Sequence, residues 1–228
     1  MHFLRAQGSV FVSVTLLVVV CLLSAVPAQA QPCFDIRKDG FSISNEPGYC
    51  FAITAFSRWY YLTNQDRPGL RTALNKGAQL AIARELQSYY SKYLIRAQAE
   101  YCNQNSSDPG ESFRRFVTGL LIGEPRLVLL MTRSQKRVVL HAVLAYDWIP
   151  GQNLLKIYDP NYSSQERIMD LEEGRYTSLD ITYDAICFPE VLDNNPDLIR
   201  KMQALYRQHV LQEKRHAATR PATLQTTR

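Results

Sequence analysis

Gly48-Tyr49-Cys50-Phe51-Ala52-Ile53-Thr54-Ala55-Phe56 is the stretch on which the reading of this chain turns. Pro47-Gly48 reads as a turn, and it hands Cys50 to the first residues of an apolar, helix-compatible run. The first turn of a helix carries backbone N–H groups without intrahelical acceptors, and the positive end of the helix dipole. Both favour a thiolate over a thiol. Two plainer roles compete: a small hydrophobe at a helix start, or half of a disulfide.

Outward from Cys50, residues 50–62 place Phe51, Ala55, Trp59 and Leu62 at i, i+4, i+8 and i+11, an apolar helical stripe with Arg58 off it. The preceding residues 31–46 read as irregular or as a short strand. Residues 72–102 continue the helical pattern through Leu74, Ala78, Ala81, Leu86, Tyr90, Tyr93 and Ala97. Tyr89, Tyr90 and Tyr93 are expected to pack as an aromatic stripe rather than to form a binding platform. Residues 103–110 are a loop rich in Asn, Ser, Asp, Pro and Gly, and 111–122 a short helix ended by Gly123. The character then changes. Aliphatic and β-branched runs at 126–132, 137–146, 154–158 and 167–171 alternate with turns at 134–136, 150–153 and 160–161. Connections that short imply antiparallel pairing. A last strand over 179–183 and a helix over 196–214 follow. Helices first and an antiparallel sheet after them make the fold class α+β.

A cysteine nucleophile needs a base, and the base needs a group to orient it. His2 lies in the N-terminal apolar segment, while His209 and His216 fall in the last helix and the tail. His141 alone sits in the predicted core, in the strand Val138-Val139-Leu140-His141-Ala142-Val143-Leu144-Ala145-Tyr146. An imidazole among aliphatics has a desolvation cost unless it is hydrogen-bonded. The next strand ends in Ile157-Tyr158-Asp159-Pro160-Asn161. Asp159 follows His141 by 18 residues, a span that fits two strands and a reversing loop. Side by side, the carboxylate accepts from one ring nitrogen and selects the tautomer. Asn161 is an alternative orienter, because an amide oxygen accepts the same bond. Asp147, at a strand end, ranks below both. A structural histidine and a turn-forming aspartate before proline are the plain readings of these residues.

Arg5, an apolar run over 10–26, Pro27 and Ala28-Gln29-Ala30 follow the order of an export signal cleaved after Ala30. An uncleaved membrane anchor is the alternative. The product is then secreted or periplasmic. The 228 residues carry a formal net charge of +5, modest and scattered until a tail holding Lys214, Arg215, Arg220 and Arg228. With few aromatics beside it, the tail (215–228) reads as disordered rather than as a nucleic-acid arm. Export leaves Cys33, Cys50, Cys102 and Cys187 in an oxidising compartment. They form two bridges that consume Cys50, or at most one bridge with an odd thiol beside a free Cys50. Asn105-Ser106-Ser107 and Asn161-Tyr162-Ser163 fit glycosylation acceptors. No paired histidines or Cys-x-x-Cys spacing offers a metal site, and no cofactor is expected.

Gly48-Tyr49-Cys50-Phe51-Ala52 resembles the glycine, cysteine and bulky aromatic that open the central helix of papain-like cysteine peptidases. His141-Ala142-Val143-Leu144-Ala145-Tyr146 and Ile157-Tyr158-Asp159-Pro160-Asn161 are similar to the histidine and aspartate blocks of the bacterial branch. That branch includes leader-processing peptidases of bacteriocin exporters and acyltransferases on the same scaffold. The resemblance spans about residues 45–159 and implies a papain-like domain over 31–195, followed by the helix at 196–214. It also implies Cys50 as nucleophile, His141 as base and acid, Asp159 as orienter, and a peptide or protein substrate, with no nucleic acid and no membrane after signal cleavage. Where the family carries an oxyanion-binding glutamine six residues before the cysteine, this chain has Ser44, with Asn45 next. Asn45 or Ser44 is the expected donor. The implied function is an exported cysteine hydrolase acting through a thioester. A non-catalytic peptide- or partner-binding domain and an acyltransferase are the alternatives.

Overall fold

Eleven consecutive residues of one helix, 51–61, are buried, and the described structure packs around them. The computed structural model of the protein describes residues 33–46, 48–64, 68–96, 100, 102, 109–132 and 139–219. The segment read as an export signal, the turn expected at 134–136, and Pro47, Ala97 and Asn105 lie outside them. The helices before the sheet are α1 (Ile36–Asp39), α2 (Cys50–Thr63), α3 (Leu70–Ala73), α4 (Lys76–Tyr93) and α5 (Pro109–Leu121). Asp35 starts α1 by accepting the Arg37 N–H on its side chain at 2.8 Å, so residues expected to be irregular or extended include a capped helical turn. The pattern expected over 72–102 is divided. Leu74 leaves the helical conformation, and Asn75 caps a new helix by accepting the Ala78 N–H at 3.0 Å. Gly123, with φ 79°, follows α5 as anticipated.

Arg58 does not stay off the buried stripe. It is 6% exposed, because α2 is covered on every side. Its Nε donates to the Pro125 carbonyl at 2.7 Å and its Nη1 to the Asp193 carbonyl at 2.9 Å, with the Asp193 carboxylate 3.2 Å from Nε. A guanidinium with several partners can occupy a core position that an amphipathic pattern assigns to solvent.

The strands are β1 (Arg126–Met131), β2 (Leu140–Ile149), β3 (Leu154–Tyr158), β4 (Glu166–Asp170), β5 (Tyr176–Ser178), β6 (Ile181–Tyr183) and β7 (Ala185–Cys187). Five form an antiparallel sheet in the order β4-β3-β2-β1-β7, and β5-β6 form a separate hairpin. The period-2 alternation of strands divides the core. Leu129, Ala142, Leu144 and Tyr158 join the helical core around α2, whereas Leu130, Val143, Ala145 and Ile157 join a second core with α5 and the hairpin. The strand expected over 179–183 begins only at Ile181, since Leu179 has φ 52° and turns the hairpin. Glycine is the unstrained residue at such a position, so the leucine carries backbone strain there.

After the sheet come α6 (Glu190–Asp193) and α7 (Pro196–Thr219). Leu198, Met202 and Leu205 bury α7 in the same core as α2, so this helix is part of the domain and not an appendage to it. It also runs on through 215–219, where disorder was expected. Ala217 and Ala218, with Glu213, Lys214 and Arg215, are strong helix formers that extend it. His209, assigned to a plain helix, is buried at 9% exposure. His141 is therefore not the only core histidine.

Cys102 and Cys187 form a disulfide across 85 residues, while Cys50 takes no part in a bridge. The pairing that would consume Cys50 is excluded. A disulfide of this kind favours an oxidising compartment. Among the described residues no helix is long and apolar enough to cross a membrane.

Candidate active site

Gly48 has φ 103°, a left-handed conformation suited to glycine, and a Cβ there would meet nothing within 4 Å. The glycine is thus required by backbone geometry rather than by space. It brings the chain into Cys50, the first residue of α2. The half-buried Cys50 lines a cavity of about 350 Å³ together with Asn45, Gln87, Tyr90, His141 and Tyr183. Of the tyrosines expected to pack as one stripe, Tyr90 is buried and stacked on Phe51 at 3.7 Å, and Tyr89 packs partly buried against the same core with its ring 5.1 Å from that of Tyr93. Tyr93 stands 57% exposed, because the pitch of α4 carries it off the buried face.

His141 and Asp159 are brought together by the β2–β3 register. Leu144 pairs with Tyr158, so one step further Asp159 faces Val143, diagonal to His141 on the same side of the sheet and within reach of both side chains. His141 Nε2 and Asp159 Oδ1 lie 2.8 Å apart. An ionised carboxylate only accepts, so Nε2 carries the proton. The other ring nitrogen remains for Cys50, which acts on the imidazole through a side-chain hydrogen bond and through its charge. Burial pulls the His141 pKa down. The hydrogen bonds to Asp159 and Cys50, with the charges of both, outweigh it and raise the value to about 9. Burial pushes the Asp159 carboxyl up, yet the His141 hydrogen bond and charge, with the Ser178 and Asn161 donors, hold it below the usual range.

Asp159 is fully buried and all its acceptor capacity is used. Oδ1 also accepts the Asn161 backbone N–H at 2.9 Å, and Oδ2 accepts Ser178 Oγ–H at 2.6 Å and Tyr176 Oη–H at 3.0 Å. From this carboxylate the direction of every further bond follows. Ser178 donates to Asp159, so its oxygen accepts Asn161 Nδ2–H at 2.8 Å. Asn161 Oδ1 in turn accepts Asn45 Nδ2–H at 2.8 Å. Asn161 is therefore not the orienter of His141; it ties the orienter to Asn45. Asn45 keeps one amide hydrogen uncommitted, whereas Ser44 is exposed and does not line the cavity. Asp147 lies outside the site and pairs with Lys156 at 3.2 Å.

Tyr176, Ser178, Tyr183 and Gln87 were not singled out by sequence. Tyr183 stacks on the His141 ring at a centroid distance of 5.5 Å and an interplanar angle of 22°, an arrangement that favours the charged imidazolium. Its own hydroxyl pKa is pushed up to about 12, first by burial and then by the neighbouring Cys50 and Asp159. The hairpin holding these residues is short, and no periodicity links it to Asp159. Replacing Ser178 by alanine removes both a donor to a buried carboxylate and the acceptor of Asn161. The expected cost is about 1–3 kcal/mol of fold stability, read from the urea midpoint. An unchanged midpoint would mean that the Ser178 bonds are replaced at no cost.

Among the described residues no group of three or more His, Cys, Asp or Glu side chains is arranged to hold a metal ion. No protein-family profile, curated protein or solved structure matches the chain.

Proposed function

We propose that this protein is an exported, papain-like cysteine hydrolase that cleaves a peptide or other acyl substrate through a thioester on Cys50. One observation carries the reading: a free cysteine at the start of a buried helix shares a cavity with a histidine whose Nε2 is held by a buried carboxylate. In this mechanism the Cys50 thiolate attacks the substrate carbonyl carbon, and the C=O electron pair moves to oxygen. First-turn N–H groups of α2 and the uncommitted Asn45 hydrogen offer donors for the oxyanion. As the intermediate collapses, the bond to the leaving group breaks and His141 protonates that group. His141 then takes a proton from water, whose oxygen attacks the thioester. Collapse of the second intermediate releases the acid and returns the thiolate. The Cys102–Cys187 disulfide supports export.

Peptide mapping after treatment with a thiol-directed acylating probe tests the reading. Cys50 is expected to be modified in the wild type, with modification abolished in Cys50→Ala and slowed roughly 10²-fold or more in His141→Ala. Equal modification of Cys50 in wild type and His141→Ala would overturn it.

A further inference from the structure

The side-chain amide of Gln87 on α4 is held in one orientation inside the nucleophile's cavity. Its Oε1 accepts the Ala52 backbone N–H at 3.1 Å, across 35 residues of sequence. A backbone N–H can only donate, so the amide cannot flip without losing that bond and setting two donors against each other. Nε2 is thereby fixed as the free end. It carries two hydrogens, no described residue accepts from it, and Gln87 lines the cavity that holds Cys50 and His141. Its neighbours in the cavity wall, Phe51, Tyr90 and Ile95, are aromatic or aliphatic. An amide donor in the half-buried wall of that cavity is available to an oxygen from outside the protein.

The remaining amides explain why such a donor matters. Ser44 points elsewhere, and one of the two Asn45 hydrogens is committed to Asn161. We propose that Gln87 Nε2 donates to a carbonyl oxygen in the acyl part of the substrate, making Gln87 a substrate-binding residue of the Cys50 site. This rests on the acyl-transfer reading above. The ligand class is thus a carbonyl-bearing acyl group, and its oxygen is received by a donor on α4, the helix that packs beside α2. The bond to Ala52 also ties the donor to the helix that carries the nucleophile.

Two reagents separate this role from effects on the thiol. Methyl methanethiosulfonate transfers a methylthio group to Cys50 and presents no carbonyl. A p-nitrophenyl ester of an N-acetyl amino acid acylates Cys50 with release of p-nitrophenolate. The measured quantity is the ratio of acylation to thiolation rate at Cys50. Gln87→Glu keeps the acceptor for Ala52 and removes the donor, while Gln87→Met removes both without adding charge. The ratio is expected to fall about tenfold or more in both variants, in line with the loss of one carbonyl-binding donor. The thermal midpoint of Gln87→Glu should stay near that of the wild type. A ratio within twofold of the wild type in either variant would overturn the assignment, because Gln87 would then act only on helix or thiol. A wild-type Cys50 that is thiolated but never acylated would instead sink the acyl-transfer reading, and the role of Gln87 with it.

Discussion

Asp159→Asn is expected to leave the protein folded and to slow acylation of Cys50 roughly 10²-fold near neutral pH. The asparagine oxygen will occupy the Oδ1 position, because the Asn161 backbone N–H donates there and would repel an amide nitrogen. The His141 tautomer is then kept, and Ser178 and Tyr176 can rotate their hydroxyls to accept. What disappears is the negative charge beside the ring. The imidazolium of His141, whose pKa the pair raises to about 9, loses a partner, and its titration by NMR should move down by more than one unit, or about 1.4 kcal/mol. In the wild type the raised His141 value contributes stability that is complete below its ordinary 6.5 and lost as pH rises through about 9. The depressed Asp159 value contributes stability present above its ordinary 3.8 and lost as pH falls below it. Stability from this pair is therefore greatest between those two ordinary values, and Asp159→Asn should flatten that window. Acylation should likewise decline as the wild type passes pH 9, when His141 no longer has a proton for the leaving group. A variant with an unmoved His141 titration would show that Asp159 does not set the charge of the ring.

Asp193→Ala is expected to destabilise the fold by about 3–5 kcal/mol, measured by urea denaturation. Asp193 sits at 7% exposure between two guanidiniums. Arg58 approaches its carboxylate at 3.2 Å, and Arg126 Nη1 donates to it at 3.1 Å. Burial pushes the Asp193 carboxyl up in spite of both arginines, and burial likewise pulls the Arg58 pKa down in spite of Asp193. The desolvation cost of these charges thus outweighs what their attraction returns. The pair as a whole adds little, while removing one member leaves the other uncompensated in the core. Asp193→Ala combined with Arg58→Met should for that reason recover a large part of the loss. A single variant within about 1 kcal/mol of the wild type would mean that water reaches Arg58 when Asp193 is removed.

The order of elements was legible because it is written in local periodicity. The 3.6-residue spacing from Phe51 to Leu62 marked α2, and aliphatic runs with short turns marked an antiparallel sheet. The His141–Asp159 contact was legible for a related reason: 18 residues is the span of a hairpin, and a hairpin brings its two strands to one register. Failures fell where a residue's environment comes from distant chain. Arg58 looked like a solvent-facing position on α2 because its partner lies 135 residues away. Asn161 looked like a second orienter until the backbone turned its N–H, not its amide oxygen, toward the site. The break at Leu74 was hidden because Asn75 is an ordinary polar residue until its side chain caps a helix.

By itself the sequence determined an α+β chain in which one cysteine opens a central helix and one core-strand histidine precedes an aspartate at hairpin distance. These depend on neighbouring residues, whose spacing sets which face of a helix or strand they share. Tertiary structure alone decided that Cys50 stays free while Cys102 and Cys187 pair, that Tyr176 and Ser178 complete the shell of Asp159, and that Gln87 fastens its amide oxygen to the Ala52 N–H in the cavity that holds Cys50. Each of these joins segments with no common periodicity. Their meeting depends on sheet register, on helix packing and on burial that forces every polar group to find a partner.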